Sequence, residues 1–307
     1  VWDFTRCLNP DAYRLIKPPD PVKYENFIDF KNKSEAIDAI NRINEDIFII
    51  SFLAYNAGSF RIFKAISKNN IPYAAYISQI PTIEIMTFKR YIYRLIIYMT
   101  PNIIMAYIRQ SFSKRPPFLL GIRPATLLLV SGGSKSTVMI PPIVNHKTDL
   151  IWIHSLDYDI YLDSQQKEKV KNKSIAVFLD EFMPFHQDEI MKGLPPATNA
   201  DEYYPLLCKF FDYIEKESNL EVVIAAHPRS AYHKMPNLFC GRKTIRGKTS
   251  DLVQVSKLVI LQSSTSINFA VLYRKPMIFI TPESIEKTES GAKIKMWASK
   301  FNKTPID

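Results

Sequence analysis

Leu220-Glu221-Val222-Val223-Ile224-Ala225-Ala226-His227-Pro228-Arg229-Ser230 opens the stretch on which the fold turns. After a basic, turn-rich interval it resumes as Leu258-Val259-Ile260-Leu261-Gln262-Ser263-Ser264-Thr265-Ser266, and it closes on Pro276-Met277-Ile278-Phe279-Ile280-Thr281. The apolar runs 221–226, 258–262 and 276–280 are rich in Val and Ile and do not alternate. Runs of that length suit strands buried on both faces of a parallel sheet. Two end abruptly in polar residues, His227-Pro228-Arg229 and Ser263-Ser264-Thr265-Ser266. Ligands of open α/β sheets collect just beyond the carboxyl ends of strands. A histidine with an arginine, and a hydroxyl cluster, therefore stand where a phosphorylated ligand would sit.

Working outward from this stretch, the same rhythm of strand and helix recurs upstream. Ser34–Asp46 has helical spacing at Ile37, Ile40 and Ile43, and Ile47–Leu53 reads as a buried strand. Tyr55-Asn56-Ala57-Gly58-Ser59 is a turn in which Ser59 is placed to cap the helix from Phe60. Ile71–Ile77, Thr126–Val130 and Leu150–His154 are further strands. Ser131-Gly132-Gly133-Ser134 is a glycine-rich turn of the kind that offers backbone N–H groups to phosphate, or simply turns the chain. Near Asp163–Lys173 the sequence becomes lysine-rich and its hydrophobic periodicity lapses. Ser174–Leu179 then starts a second sheet, ending in Asp180-Glu181, and Tyr203–Glu217 carries an apolar helical stripe.

The expected fold is thus α/β, with two Rossmann-like domains whose parallel sheets face a cleft. Residues 1–165 form an acceptor-side domain that opens on a strand end, Val1-Trp2-Asp3-Phe4, with its first strand expected upstream. Residues 166–307 form a nucleotide-binding domain whose last helix, within 285–301, is expected to run back to the first. The chain has 307 residues, 47% of them hydrophobic, and a net charge of +10. That balance favours anionic partners such as nucleotides or an anionic membrane face. Residues 83–115, basic and aromatic and split by Pro101, read either as helices for such a surface or as a core-packing pair. The basic turn 241–249, with Lys248 and Thr249 at its end, is too short and too poor in aromatics to be a nucleic-acid platform. Three scattered cysteines fit a reducing cytoplasm, and no run is long and uncharged enough to span a membrane. The histidines have no metal-ligand spacing.

Individual residues carry specific expectations. Proline after His227 holds it extended at the strand tip, where imidazole and Arg229 can both reach a phosphate oxygen. One helix cap explains one hydroxyl of Ser263–Ser266, not four, so the cluster reads as an anion site with the free N–H groups of the helix start. A carboxylate of Asp180-Glu181 could deprotonate a hydroxyl or attack an anomeric carbon.

The order Asp180-Glu181, His227-Pro228, Ser263-Ser264-Thr265-Ser266 resembles that of GT-B bacterial glycosyltransferases using CMP-activated acidic sugars, the sialyl- and Kdo-transferases of capsule and lipopolysaccharide assembly. The sialyltransferase acidic motif ends in glycine, where this chain has Phe182. The resemblance implies that Asp180 is the catalytic carboxylate, supported by Glu181. It implies that His227 holds the donor phosphate, with Ser263, Ser264 and Thr265 gripping it from the other side. The same features are similar to transferases that pass on glycerol phosphate from CDP-glycerol. The expected enzyme moves a sugar from a nucleotide donor to a surface polysaccharide or lipid-linked glycan. No cofactor is expected and no metal, since cations and helix N-termini would neutralise the leaving phosphate; Asp157-Tyr158-Asp159 is read as a chance match to a metal motif. On the acceptor side stand Tyr55, Asn56, Gly58, Gly132 and Gly133. The location expected is cytoplasmic, peripheral at the inner membrane. The alternatives are a UDP-sugar transferase, a CDP-glycerol-type transferase, a UDP-sugar epimerase and a non-catalytic nucleotide-sugar-binding or membrane scaffold protein.

Overall fold

The computed structural model describes residues 1–8, 10, 13, 25–78, 116–132, 140–166, 173–186, 196–230, 232–235 and 237–307. Gly133 and the basic aromatic stretch 83–115 lie outside them. The described residues form two compact α/β units, one up to Ser155 and one from Leu156 to Asp307.

In the first unit, β1 (Trp2–Asp3) pairs in parallel with β2 (Ile28–Asp29), joined through α1 (Thr5–Leu8). The main sheet has the order β3 (Ile49–Ser51), β4 (Tyr73–Ile77), β5 (Leu127–Ser131), β6 (Asp149–Ile153), all parallel. Two helices, α2 (Lys33–Asn41) and α3 (Phe60–Lys68), bury Ile40, Ile62, Phe63 and Ile66 in one core with Tyr73, Ala75, Leu128 and Val130. Asn32 caps α2 by accepting from Glu35 N–H at 2.9 Å. The 47–53 run is not a buried strand: Ile50 is 58% and Phe52 65% exposed. β3 is short and at the sheet edge, so every second side chain faces away from the α2–α3 core.

The second unit has the order β9 (Thr244–Arg246), β8 (Glu221–Ala226), β7 (Ile175–Leu179), β10 (Leu258–Leu261), β11 (Met277–Phe279), again all parallel. Counted from β7 as the first strand, this is the 3-2-1-4-5 order of a Rossmann sheet. The chain end adds a sixth position, because Ile306 bridges to Ile280 in parallel beyond β11. Strand pleat divides the core in two. Val177, Leu179, Val223, Val259 and Leu261 face α6 (Thr249–Val255), α7 (Ile267–Leu272) and α9 (Glu289–Lys300). Ala176, Phe178, Val222, Ile224 and Ile260 face α5 (Ala200–Ser218), through Tyr203, Tyr204, Leu207 and Phe211. With both faces covered, the strands read as the continuous apolar runs seen in the sequence.

The helix α9 buries Ile294, Trp297 and Ala298 in the second unit's own core. It is preceded by a separate short helix, α8 (Glu283–Glu286). The helix α4 (Leu156–Gln165) also packs here, with the Tyr161 ring 5.2 Å from that of Tyr273 and the Ser164 and Tyr273 hydroxyls 2.7 Å apart. Among the described residues, no helix is long and apolar enough to cross a membrane.

Candidate functional site

Because all five strands of the second sheet are parallel, their carboxyl ends line one edge. Gln262–Ser266 follow β10, Asp180-Glu181 follow β7, His227-Pro228-Arg229 follow β8 and Gly247-Lys248-Thr249 follow β9. The hydroxyl and histidine tips therefore flank the acidic tip from its two neighbouring strands. The edge between β7 and β10 is the point where strand order reverses, the crevice at which such sheets bind ligands.

The acidic pair is held more tightly than the sequence suggests. Pleat sends successive side chains to opposite faces. Asp180 goes to the α5 face, where Oδ1 accepts from Phe182 N–H at 2.9 Å, and Oδ2 from His227 N–H at 3.1 Å and the Tyr232 hydroxyl at 2.8 Å. Glu181 goes to the other face, where one oxygen accepts from Ser263 N–H and the other from the Ser263 hydroxyl at 2.9 Å. Both acids are buried, at 4% and 7% exposure. Burial pushes the Asp180 carboxyl above the ordinary range against its three hydrogen bonds. Burial likewise raises that of Glu181, opposed by the charge of Lys293 and by Ser263. Most of the lone-pair sites of Asp180, and one on each oxygen of Glu181, are thus committed to holding the loops around them.

Phe182 stands where the resembling motif has glycine, and it adopts the backbone glycine favours: φ is 54° and ψ 40°, left-handed. The strain is offset by packing. Its ring lies 5.0 Å from Phe185 and 5.2 Å, edge-on, from Tyr232.

His227 Nδ1 accepts from Arg229 N–H at 3.2 Å. A neutral imidazole accepting at Nδ1 carries its hydrogen on Nε2, which makes Nε2 the donor. The His186 ring lies 6.1 Å from that of His227. Pro228 and Arg229 are exposed.

The hydroxyl cluster divides. Ser263 is buried and taken by Glu181, so it is not an open anion ligand in this geometry. Ser264 and Ser266 are half-buried and Thr265 exposed. The helix-start N–H groups are also used: those of Ile267, Asn268 and Phe269 donate to the carbonyls of Ser264, Thr265 and Ser266 at 3.1, 3.3 and 3.0 Å. The expected cradle of free helix N–H groups is closed at these three by tight turns.

The basic turn divides too. Arg242 faces α5, where it pairs with Glu215 at 2.6 Å and Asp212 at 2.5 Å and lies 5.5 Å from the Phe211 ring. It holds the start of β9 to the helix. Lys248 is exposed beside Asp251, 3.5 Å away, at the site edge, with Thr249 half-buried behind it.

In the first unit the acceptor-side candidates follow β3 and β5. Asn56 Oδ1 accepts from Gly58 N–H at 2.7 Å and Ser59 N–H at 3.2 Å, closing an Asx turn. Ser59 does not cap α3. Its hydroxyl donates to the Ala54 carbonyl at 2.7 Å and accepts from Asn56 N–H at 3.0 Å. Tyr55 is buried with its ring 5.8 Å from Phe63. Gly132, with φ 116°, donates to the Ile153 carbonyl at 3.2 Å. These contacts build the loops.

Sequence reading passed over Tyr232, Gln262 and Lys293. Tyr232 lies in a turn without periodicity, Gln262 looks like part of the strand, and Lys293 is one lysine of a basic chain. Gln262 is fully buried and accepts from the Tyr203 hydroxyl at 2.6 Å. Among the described residues, no group of three His, Cys, Asp or Glu side chains is placed to hold a metal ion.

No protein-family model matches the chain, and no curated protein matches it. Among solved structures it is similar to UDP-GlcNAc 2-epimerase from Methanocaldococcus jannaschii, at 14% identity and a TM-score of 0.42, covering 91% of this chain and 76% of that one. The same organism's UDP-GlcNAc 2-epimerase in complex with UDP-GlcNAc and UDP gives 12% identity, a TM-score of 0.41, and coverage of 95% and 81%. At this identity and TM-score the likeness decides nothing about activity.

Proposed function

We propose that this chain is a nucleotide-sugar enzyme, and specifically a glycosyltransferase. It would bind its donor's phosphate at the carboxyl edge of the second sheet and pass the sugar to a surface polysaccharide or lipid-linked glycan. The observation that carries this reading is the placement of the histidine and hydroxyl tips at the carboxyl ends of β8 and β10, the two strands that flank β7, beside the strand-order reversal. His227 Nε2 would donate to a phosphate oxygen. Arg229 and Lys248 would add positive charge, and Ser264, Thr265 and Ser266 hydroxyls. Cations so placed favour departure of the nucleotide by stabilising the charge that develops on its phosphate. The preference for a CMP-linked acidic sugar rests on the order of the acidic, His-Pro and hydroxyl motifs.

The test is a thermal-shift panel of CMP, UDP and CDP, followed by nucleotide release from CMP-, UDP- and CDP-linked donors with and without glycan acceptor. CMP should give the largest shift, and His227→Ala should weaken nucleotide binding about tenfold or more. A shift with UDP alone, with UDP-GlcNAc turned over in the absence of acceptor, would replace the transferase with an epimerase. No shift with any nucleotide would remove the reading altogether.

A further inference from the structure

We infer that Asp180-Glu181 is a two-sided brace, a pair of positioning residues that fixes the histidine and hydroxyl tips against the central strand. The inference rests on the nucleotide-phosphate reading above for its purpose, and on hydrogen bonds alone for its existence. β7 is the middle of the five strands, with β8 on one side and β10 on the other. Its pleat turns Asp180 to one face and Glu181 to the opposite one. Asp180 reaches the tip of β8 through His227 N–H, and the loop beyond it through Tyr232. Glu181 reaches the tip of β10 through both polar groups of Ser263. One dipeptide thus ties three adjacent strand ends across the point where strand order reverses. There the carboxylate of Glu181 takes the N–H and hydroxyl that a ligand anion would otherwise accept from.

The two acids differ in a way that makes the brace testable. Asp180 meets a backbone N–H at each oxygen, from Phe182 and from His227. An asparagine there would keep both Oδ2 bonds, to His227 and Tyr232, by turning its NH₂ against Phe182 N–H, so only loss of the whole carboxyl group opens the β8 side. Glu181 meets a backbone N–H at one oxygen only. Its other oxygen meets the Ser263 hydroxyl, which can rotate to accept from a glutamine NH₂. Glu181→Gln should therefore keep the brace, while Glu181→Ala and Asp180→Ala break it on their own sides.

The experiment compares these three variants and the wild type, as the full chain, by amide hydrogen exchange at Ser263 and His227 and by titration with CMP, UDP and CDP. Glu181→Ala should speed exchange at Ser263 and weaken nucleotide binding about tenfold. Glu181→Gln should restore both. Asp180→Ala should speed exchange at His227 and leave Ser263 protected. If Glu181→Ala does not fold, Ser263→Ala, which keeps the backbone bond and loses the hydroxyl bond, should give a smaller loss in the same direction. Unchanged Ser263 exchange in Glu181→Ala would overturn the brace. So would a Glu181→Gln variant with normal exchange and affinity but turnover as low as Glu181→Ala, since that pattern marks a chemical role. If the wild type binds no nucleotide, the functional reading falls, and the exchange measurements still decide the brace.

Discussion

Phe182 is a bulky residue held in a left-handed turn. A left-handed conformation costs a non-glycine residue about 1–2 kcal/mol, and a buried aromatic ring repays it by packing. Substitution to alanine keeps the strain and loses the ring, whereas substitution to glycine loses only the ring. Phe182→Gly should therefore be less stable than wild type but about 1 kcal/mol more stable than Phe182→Ala in urea unfolding. The acidic pair gives a second expectation. Burial raises the Glu181 carboxyl above its ordinary range. Between that range and the raised value, the folded chain binds more protons than the unfolded one. This share of stability is complete on the acid side and is lost as pH rises through the raised value. Wild type should lose stability relative to Glu181→Gln across that window, read from urea midpoints against pH. A difference curve rising with pH would contradict the sign. The sequence announced Asp180 and Glu181 as polar residues ending an apolar run. It did not announce their task, because pleat parity and neighbouring strands decide which donors each acid meets.

Elements were read best where their neighbours cover them completely. Residues 222–226 and 259–262 are fully buried, and composition alone marks their runs as strands. The run 47–53 has the same composition, but it became a three-residue edge strand with Phe52 exposed; burial is a property of the sheet, which local sequence does not contain. Strand order was equally hidden, since nothing local says that β10 returns beside β7. The α8–α9 corner depends on one missing side chain. A Cβ on Gly291 would lie 2.3 Å from the Ile285 carbonyl oxygen and 2.4 Å from that of Glu286. Neither backbone atom can move without shifting α8. Gly291→Ala should cost about 1–3 kcal/mol, seen as a lower urea midpoint. Equal stability would show that the corner relaxes at no cost. Arg242 belongs to this scale as well: a basic turn in the sequence proves to be partly a clamp between β9 and α5, because an arginine beside buried aromatics and two carboxylates is fixed by them.

For the molecule as a whole, two α/β units were legible from the repeated rhythm of apolar runs and helices. The second has its own core on both faces of its sheet. Residues 156–307 expressed alone should unfold cooperatively in urea, with the slope of a domain of about 150 residues. A broad, sloping transition would count against independence. Within this unit, the alternation that sends Asp180 and Glu181 to opposite faces has a consequence for length. One residue gained or lost between Leu179 and the pair would exchange their partners, offering the shorter acid to β10 and the longer to β8. Over generations, this stretch can therefore accept insertions or deletions in even steps far more readily than in odd ones, a reading-frame rule imposed by geometry on the peptide itself.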